Sequence, residues 1–375
     1  MPCGLKNGTV SSRRYACMNA RERVLAALKG EGKPDRMPFE ISWGAFTPRL
    51  MQCFHEQEKT EETPEEYFDF DMRSVNIGPT RKKTDFTKYF KEELPDNIIF
   101  DEWGIGAVPG SQEHFLEFKY HPLAWCETAE DVYGYEWPDV DADYRFEGMK
   151  EKIEEYKSRG YVVMGELYQT IFETAWMLRG METFLMDYYE NEEVALAICD
   201  KLEELRIRQA KKYAELGVDI IRLGDDVATQ KGPLMSREMY GALIKERMKR
   251  IVQAGKAVNP EVLYFRHCDG KVEDIVDDFV EEGIDILNPV QPECNDLTLI
   301  YDRFGDRLAF WGGIGTQSTM PFGTPEEVRE KVKEVQKILG KRGALVVAPT
   351  HILEPEVPWE NVLAFVDAAK HSYYE

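Results

Sequence analysis

Apolar and polar positions along the chain alternate between two rhythms. Short runs rich in Val, Ile, Leu, Met and Phe, with the character of buried strands, occur at Pro38–Trp43, Met72–Ile77, Tyr161–Gly165, Val218–Leu223, Leu263–Arg266, Ile284–Leu287, Leu308–Trp311 and Ala344–Ala348. Longer segments with helical spacing lie between them. Asn19 is placed to cap a helix over Ala20–Lys29 that Gly30 and Gly32 end, and Thr63-Pro64 opens another. Asn191 precedes a helix with Val194, Ile198, Leu202 and Leu205 on one face. Val272, Ile275, Val276, Phe279 and Val280 predict a helix closed by Gly283, and Thr324-Pro-Glu-Glu327 has the form of a capping box. A last helix is predicted over Pro358–Lys370.

Strands alternating with helices over this length predict an α/β fold, a single (β/α)8 TIM barrel. A two-domain doubly wound protein is the alternative, and no Gly-x-Gly-x-x-Gly follows the first strand to support it. Residues 80–140 break the rhythm and are expected to form an inserted excursion of β-ribbon over the barrel mouth. Residues 1–17 are expected to be a loose extension before a barrel domain over 18–375.

Polar residues gather where these strands end: Glu40, Asn76, Glu166, Asp225, Asp226, His267, Asp269, Asn288, Gln291 and His351. In a barrel those ends share one rim and one cavity. On a strand, residues two apart share a face, so His267 and Asp269 can converge on one ligand while Cys268 faces away. Equally, His267 could bond a loop carbonyl and Asp269 could cap the next helix. His267, Asp269 and His351 would make a three-ligand zinc set with an open position, with Glu166 or Cys268 as a spare. Asp225 and Asp226 could act with Glu166 as catalytic acids, or one of the pair could cap a turn. Trp43, Asn76, Asn288 and Gln291 are candidates for substrate binding.

A formal net charge of −22 argues against nucleic acid or an anionic membrane as partner. The cysteines are seven, scattered and without a Cys-x-x-Cys pair, which points to a reducing compartment such as the cytoplasm. No Gly-x-Ser-x-Gly elbow or P-loop supports acyl transfer by serine or nucleotide binding.

From Met18 to Lys370 the chain resembles the uroporphyrinogen decarboxylase superfamily, and within it the cobalamin-dependent methyltransferases. The matching stretches are Asn19-Ala-Arg-Glu-Arg-Val-Leu-Ala-Ala-Leu28, Leu223-Gly-Asp-Asp226, His267-Cys-Asp-Gly270, Asp285-Ile-Leu-Asn-Pro-Val-Gln291, Trp311-Gly-Gly313, Pro321-Phe-Gly-Thr-Pro-Glu-Glu-Val328 and Asn361-Val-Leu-Ala364. Where the decarboxylases carry an arginine-rich Arg-Gln-Ala-Gly-Arg clamp for their substrate's carboxylates, this chain has Glu40-Ile-Ser-Trp-Gly-Ala-Phe-Thr-Pro-Arg49 with one arginine. The methyltransferases place zinc on His-x-Cys and a later Cys. Here His267 matches the histidine, Asp269 stands at the first cysteine's place and His351 near the second's.

The resemblance therefore implies a zinc- and corrinoid-dependent methyltransferase. A site without thiolates suits an O- or N-methylated small molecule better than a thiol, since the metal can stabilise a leaving oxygen or nitrogen. No His-x-x-Gly corrinoid module occurs, so the corrinoid (cobalamin) is expected on a partner corrinoid protein; a homodimer is compatible with this expectation. Decarboxylation of a small or tetrapyrrole acid through Asp225 or Asp226 is the competing enzymatic reading, and a non-catalytic barrel that binds a metabolite is the third.

Overall fold

In the computed structural model, which describes residues 18–30, 32–41, 46–110 and 116–374, the chain is an α/β fold built on a curled, parallel, seven-stranded sheet. Its strands are β1 (Met72–Val75), β2 (Val162–Leu167), β3 (Ile220–Leu223), β4 (Leu263–His267), β5 (Ile286–Asn288), β6 (Ala309–Ile314) and β7 (Leu345–Pro349). They pair in chain order, each parallel to the next. Of the run at 38–43, expected as a further strand, the described residues contribute a single parallel bridge, from Phe39 to Val347 of β7. Val347 N–H donates to the Pro38 carbonyl at 2.9 Å, and Asp71 N–H, just before β1, donates to the Phe39 carbonyl at 3.2 Å. One short segment thus bonds to both edges of the sheet, an arrangement consistent with a TIM-like barrel.

Alternation along the strands sorts the side chains into two cores. Met72, Val162, Met164, Ile220, Phe265, Ile286, Ala309, Trp311, Val346 and Ala348 pack into one cluster within the curl of the sheet. The other parity packs outward under the helices, for example Val163, Ile221, Tyr264, Leu287, Phe310 and Val347. Helix Ala20–Lys29, with the expected Asn19–Glu22 capping box, adds Val24 and Leu28 to the inner cluster. It is held there by charge. Arg23 donates to Asp71 at 2.6 Å and Arg21 to Asp219 at 2.6 Å. Asp71, 1% exposed, also accepts from Arg36 Nη1 at 2.9 Å and from Phe39 N–H at 3.0 Å.

Two helices differ from expectation at their starts. The helix after β4 spans Val276–Glu282 rather than beginning at Val272, because Val272 N–H is bound by Asn295 Oδ1 and the loop stays open. Asn191 stands before helix Glu192–Leu216 but its side chain donates to the Glu127 carbonyl and does not cap. The excursion holds a three-stranded antiparallel ribbon (Ile99–Phe100, Gly106–Pro109, Leu116–Tyr120). No helix among the described residues is long and apolar enough to cross a membrane.

Removing Asp71 takes a carboxylate from Arg36 and one of two carboxylates from buried Arg23, which keeps Asp35. Asp71→Ala is expected to destabilise the fold by about 3–5 kcal/mol, the usual result of deleting one member of a buried ion pair. Urea unfolding checks this; a loss below about 1 kcal/mol would show that the edge segment is held by packing alone.

Candidate metal centre and adjoining cavity

The inner parity that is apolar along most of each strand turns polar at the carboxyl ends. Two residues after Met72, Met164, Ile220, Phe265 and Ile286 stand Ser74, Glu166, Arg222, His267 and Asn288. Desolvated polar atoms need partners, and this layer supplies them from strand to strand. Ser74 Oγ donates to Glu166 Oε1 at 2.7 Å, and Glu166 Oε2 lies 3.0 Å from Arg222 Nε. Beyond β3, His267 Nδ1 is 2.6 Å from Asn288 Oδ1, Asn288 Nδ2 donates to the Trp311 carbonyl at 2.9 Å, and Trp311 Nε1 donates to Glu40 Oε1 at 2.9 Å. Because the Asn288 amide nitrogen is committed to Trp311, its oxygen must accept from His267. Nδ1 therefore carries a proton, and in the neutral ring the lone pair falls on Nε2.

That lone pair belongs to a three-residue group. One donor atom each from His267, Asp269 and His351 lies within 4.8 Å of the others. His267 Nε2 is 3.9 Å from Asp269 Oδ1, and His351 Nε2 is 3.9 Å from Asp269 Oδ2. Two ligands on a tetrahedral zinc ion with bonds near 2.0–2.1 Å stand about 3.4 Å apart, so small side-chain adjustments would close the set. β4 and β7 are not neighbours; Asp269 and His351 meet because both stand on loops beyond their strands. Cys268 points the other way, as the alternation predicts. It is 1% exposed, accepts from Val227 N–H, and burial pushes its thiol well above the usual range, which takes it out of the donor set. Glu166, the other candidate spare ligand, is tied to Ser74 and Arg222 instead.

The two aspartates after β3 have different duties. Asp225 is fully buried and accepts from the backbone N–H groups of Ile171 (2.9 Å), Phe172 (2.9 Å) and Glu173 (3.2 Å). It caps helix Phe172–Arg179, which follows the preceding strand, so Asp225 is a capping residue, at that helix rather than at the turn after its own strand. Asp226 Oδ1 accepts from Asp269 N–H at 2.7 Å and lies 3.7 Å from His267 Nε2, which fixes the metal-facing loop and adds negative charge beside it. Glu173 stands beside both aspartates. Burial first, then Asp225 and Asp226, push its carboxyl up to about 8.

A cavity of about 770 Å³ adjoins the polar layer. Asn76 and Glu166 line it, with Arg222, Arg145, Trp103 and Tyr168; Ile352, the neighbour of His351, belongs to the same wall. Asn288 and Gln291, read as substrate contacts, are 2% and 4% exposed and occupied elsewhere. Asn288 orients His267, and Gln291 accepts from Gly270 N–H at 3.2 Å while pairing with Gln230. Trp43 lies outside the described residues. The sequence reading passed over Arg222, Ser74 and Glu173. A charged residue inside Ile220-Ile-Arg-Leu223, in phase with inward Ile220, was the available signal for Arg222. Nothing local marks Glu173, whose surroundings come from another strand.

An acid with a raised folded-state value has stability that is fully present below its unfolded value and lost as pH climbs through the folded one. For Glu173 that window runs from about 4.5 to about 8. Glu173→Gln should therefore gain on the wild type progressively across this window and hold a constant lead above it. Thermal or urea unfolding at a series of pH values tests this, and two parallel curves would refute it.

The profile of the family "Uroporphyrinogen decarboxylase (URO-D)" matches residues 127–372. The methylcobamide:CoM methyltransferase MtaA of Methanosarcina barkeri is 30% identical over 171 residues, 46% of this chain and 47% of that protein. The methylated-thiol–coenzyme M methyltransferase of Methanosarcina mazei is 25% identical over 241 residues, 63% of this chain and 61% of that protein. The chain thus spans about half the length of the first relative and less than two thirds of the second. A solved "methyltransferase from Methanosarcina mazei" superimposes with a TM-score of 0.68 at 20% identity, over 94% of this chain and 98% of that one, which shows a shared fold. These relatives agree with the resemblance to the corrinoid methyltransferase branch. The matched span takes in β2 to β7 together with His267, Asp269 and His351, and the chain belongs to the uroporphyrinogen decarboxylase family.

Proposed function

We propose that this protein is a corrinoid-dependent methyltransferase that moves a methyl group from an O- or N-methylated small molecule to the cobalt of a partner corrinoid protein. His267, Asp269 and His351 would hold a zinc ion, and the whole of residues 18–375 would act as one (β/α)8 domain. The observation that carries this reading is the donor group within 4.8 Å, with His267 oriented by Asn288 through Nδ1, beside a cavity of about 770 Å³. Methyltransferases among the relatives support the reaction class.

When bound, zinc supplies a Lewis acid for the oxygen or nitrogen that loses its methyl group. The chain's own residues do the rest. Asn288 holds His267 in one tautomer and one orientation, as an outer partner of a metal ligand commonly does. Asp226 anchors the Asp269 backbone. Both surviving donors besides Asp269 are imidazoles, so the set is harder than a thiolate site and better matched to oxygen or nitrogen than to a thiol. Asp225, bound by three backbone N–H groups, is proposed as a positioning residue. Asp226 is then the aspartate left for any proton relay.

His267→Ala should remove bound zinc and lower methyl transfer to cob(I)alamin by about a thousandfold or more, with the thermal transition unchanged. Asn288→Ala should lower zinc affinity by roughly 10–100-fold while leaving three ligands in place. Metal analysis after loading and gel filtration, with transfer assays on both variants, tests the pair. Retention of no zinc by the wild type would overturn the reading. So would decarboxylation of an acid that responds to Asp226→Asn and not to His267→Ala.

A further inference from the structure

Four non-glycine residues among the described ones have a positive φ: Lys59, Asp69, Gln169 and Val290. Lys59 closes helix Pro48–Glu58 on the surface, and aspartate tolerates the left-handed region. Valine does not, yet Val290 has φ +53°. A β-branched side chain crowds its own backbone there, and such a residue persists only where its surroundings hold it. Val290 is 1% exposed, so the strained turn lies inside the protein.

Its place in the chain accounts for the conformation. Asn288 ends β5 opposite His267 of β4. Were that strand to continue, Val290 would share the inward face of Asn288 and stand among the polar groups of the mouth. The left-handed turn breaks the alternation instead, and Val290 joins the outer core that also holds Leu287 and Phe310. The turn is gripped from the next strand as well. The Pro289 carbonyl accepts from Gly313 N–H at 2.9 Å, and it lies so close to Gly312 that a Cβ there has no room. From this turn the segment 288–291 reaches the metal loop at both ends. Asn288 Oδ1 accepts from His267 Nδ1, and the Asn288 carbonyl accepts from Cys268 N–H at 3.0 Å. At the other end Gln291 Oε1 accepts from Gly270 N–H at 3.2 Å. Three of the four residues from His267 to Gly270 are thus bound by a segment whose own bend is Val290.

We propose that Val290 is a positioning residue for the metal set: its locked left-handed backbone aims Asn288 at His267 and Gln291 at Gly270 from one short turn. The inference rests on the zinc reading above and adds the element that fixes the ligands before an ion arrives. Burial of the side chain offsets the strain of the backbone, so anchor and bend depend on each other. Glycine would adopt the bend freely but has no anchor, which leaves the turn able to relax toward an extended strand. Alanine keeps the strain and loses most of the anchor. Isoleucine keeps both.

Zinc affinity of the full chain, measured by competition with a chromogenic chelator, tests this on Val290→Gly, Val290→Ala and Val290→Ile. Both truncations should weaken zinc by about tenfold or more, the range for groups that support a ligand from behind, and Val290→Ile should stay within a few-fold of wild type. The visible spectrum of the cobalt(II)-loaded protein should change with Val290→Gly and keep its wild-type form with Val290→Ile. Metal-free Val290→Gly should unfold at a urea concentration at or above that of Val290→Ala, the reverse of the order at ordinary positions. On an Asn288→Ala background Val290→Gly should weaken zinc by less than it does alone, because part of its effect runs through Asn288. Unchanged zinc affinity in both truncations, an undiminished effect on the Asn288→Ala background, or Val290→Ala clearly more stable than Val290→Gly would each overturn the inference and leave the zinc reading standing. Should neither truncation fold, Gln291→Ala cuts the segment's other end and decides by the same measurement: a tenfold loss of zinc affinity supports the inference and no loss overturns it. A wild type that holds no zinc would sink both readings together.

Discussion

A side chain that points inward at the carboxyl end of a parallel strand has a packed apolar column beneath it and the mouth of the sheet above. If it is polar, its hydrogen bonds must come from its neighbours in the same layer, since an unpaired buried donor or acceptor costs about 1–3 kcal/mol. Ser74, Glu166 and Arg222 solve this on three adjacent strands. His267, Asn288, Trp311 and Glu40 solve it around the other side. The tautomer of His267 follows from that closure. Nε2 is turned toward Asp226 and Asp269 because the layer below the mouth takes Nδ1.

The loops above the layer are held by the same economy of backbone groups. After β4 the chain turns at Gly270 with φ +88°, where a Cβ would come within 2.8 Å of the Ala228 carbonyl and 2.7 Å of that of Thr229. Only glycine lets the two loops approach so closely. Lys271 N–H then donates to Thr229, Gly270 N–H to Gln291, Val272 N–H to Asn295 and Asp269 N–H to Asp226. Consecutive backbone donors from 269 to 272 thus each have an acceptor on another segment. Asp269 is positioned by that lattice, and Gln291 and Asn295 belong to it rather than to a substrate surface.

Much of this was legible in the sequence, and what was not has physical reasons. Strand identity followed from short apolar runs, and the grouping of His267, Asp269 and His351 followed from their places just beyond strand ends. The period of two also placed Cys268 away from the metal side. Asp225 misled because a carboxylate at a strand end can serve a helix that belongs to the previous strand; only the fold brings Ile171, Phe172 and Glu173 to it. Asn288 was placed on the right rim with the wrong task, since its partner is a histidine 21 residues earlier on the adjacent strand. The cavity could not be read locally at all: Trp103 and Arg145 come from the excursion and its return, and they join Arg222 only after folding.

The distribution of charge at the mouth then separates two chemistries that the overall net charge of −22 conceals. On the cavity side guanidinium groups outnumber carboxylates. On the other side Asp226 and Glu293 face Asp269, and burial, with these neighbours adding to it, pushes Asp269 above the usual carboxylate range, against the pull of His267 and His351. In the proposed reading a divalent cation between Asp269 and the two imidazoles would offset this and hold the acid ionised. Arginines thus flank one side of the mouth and the aspartate cluster the other, so charges of opposite sign are favoured on the two sides.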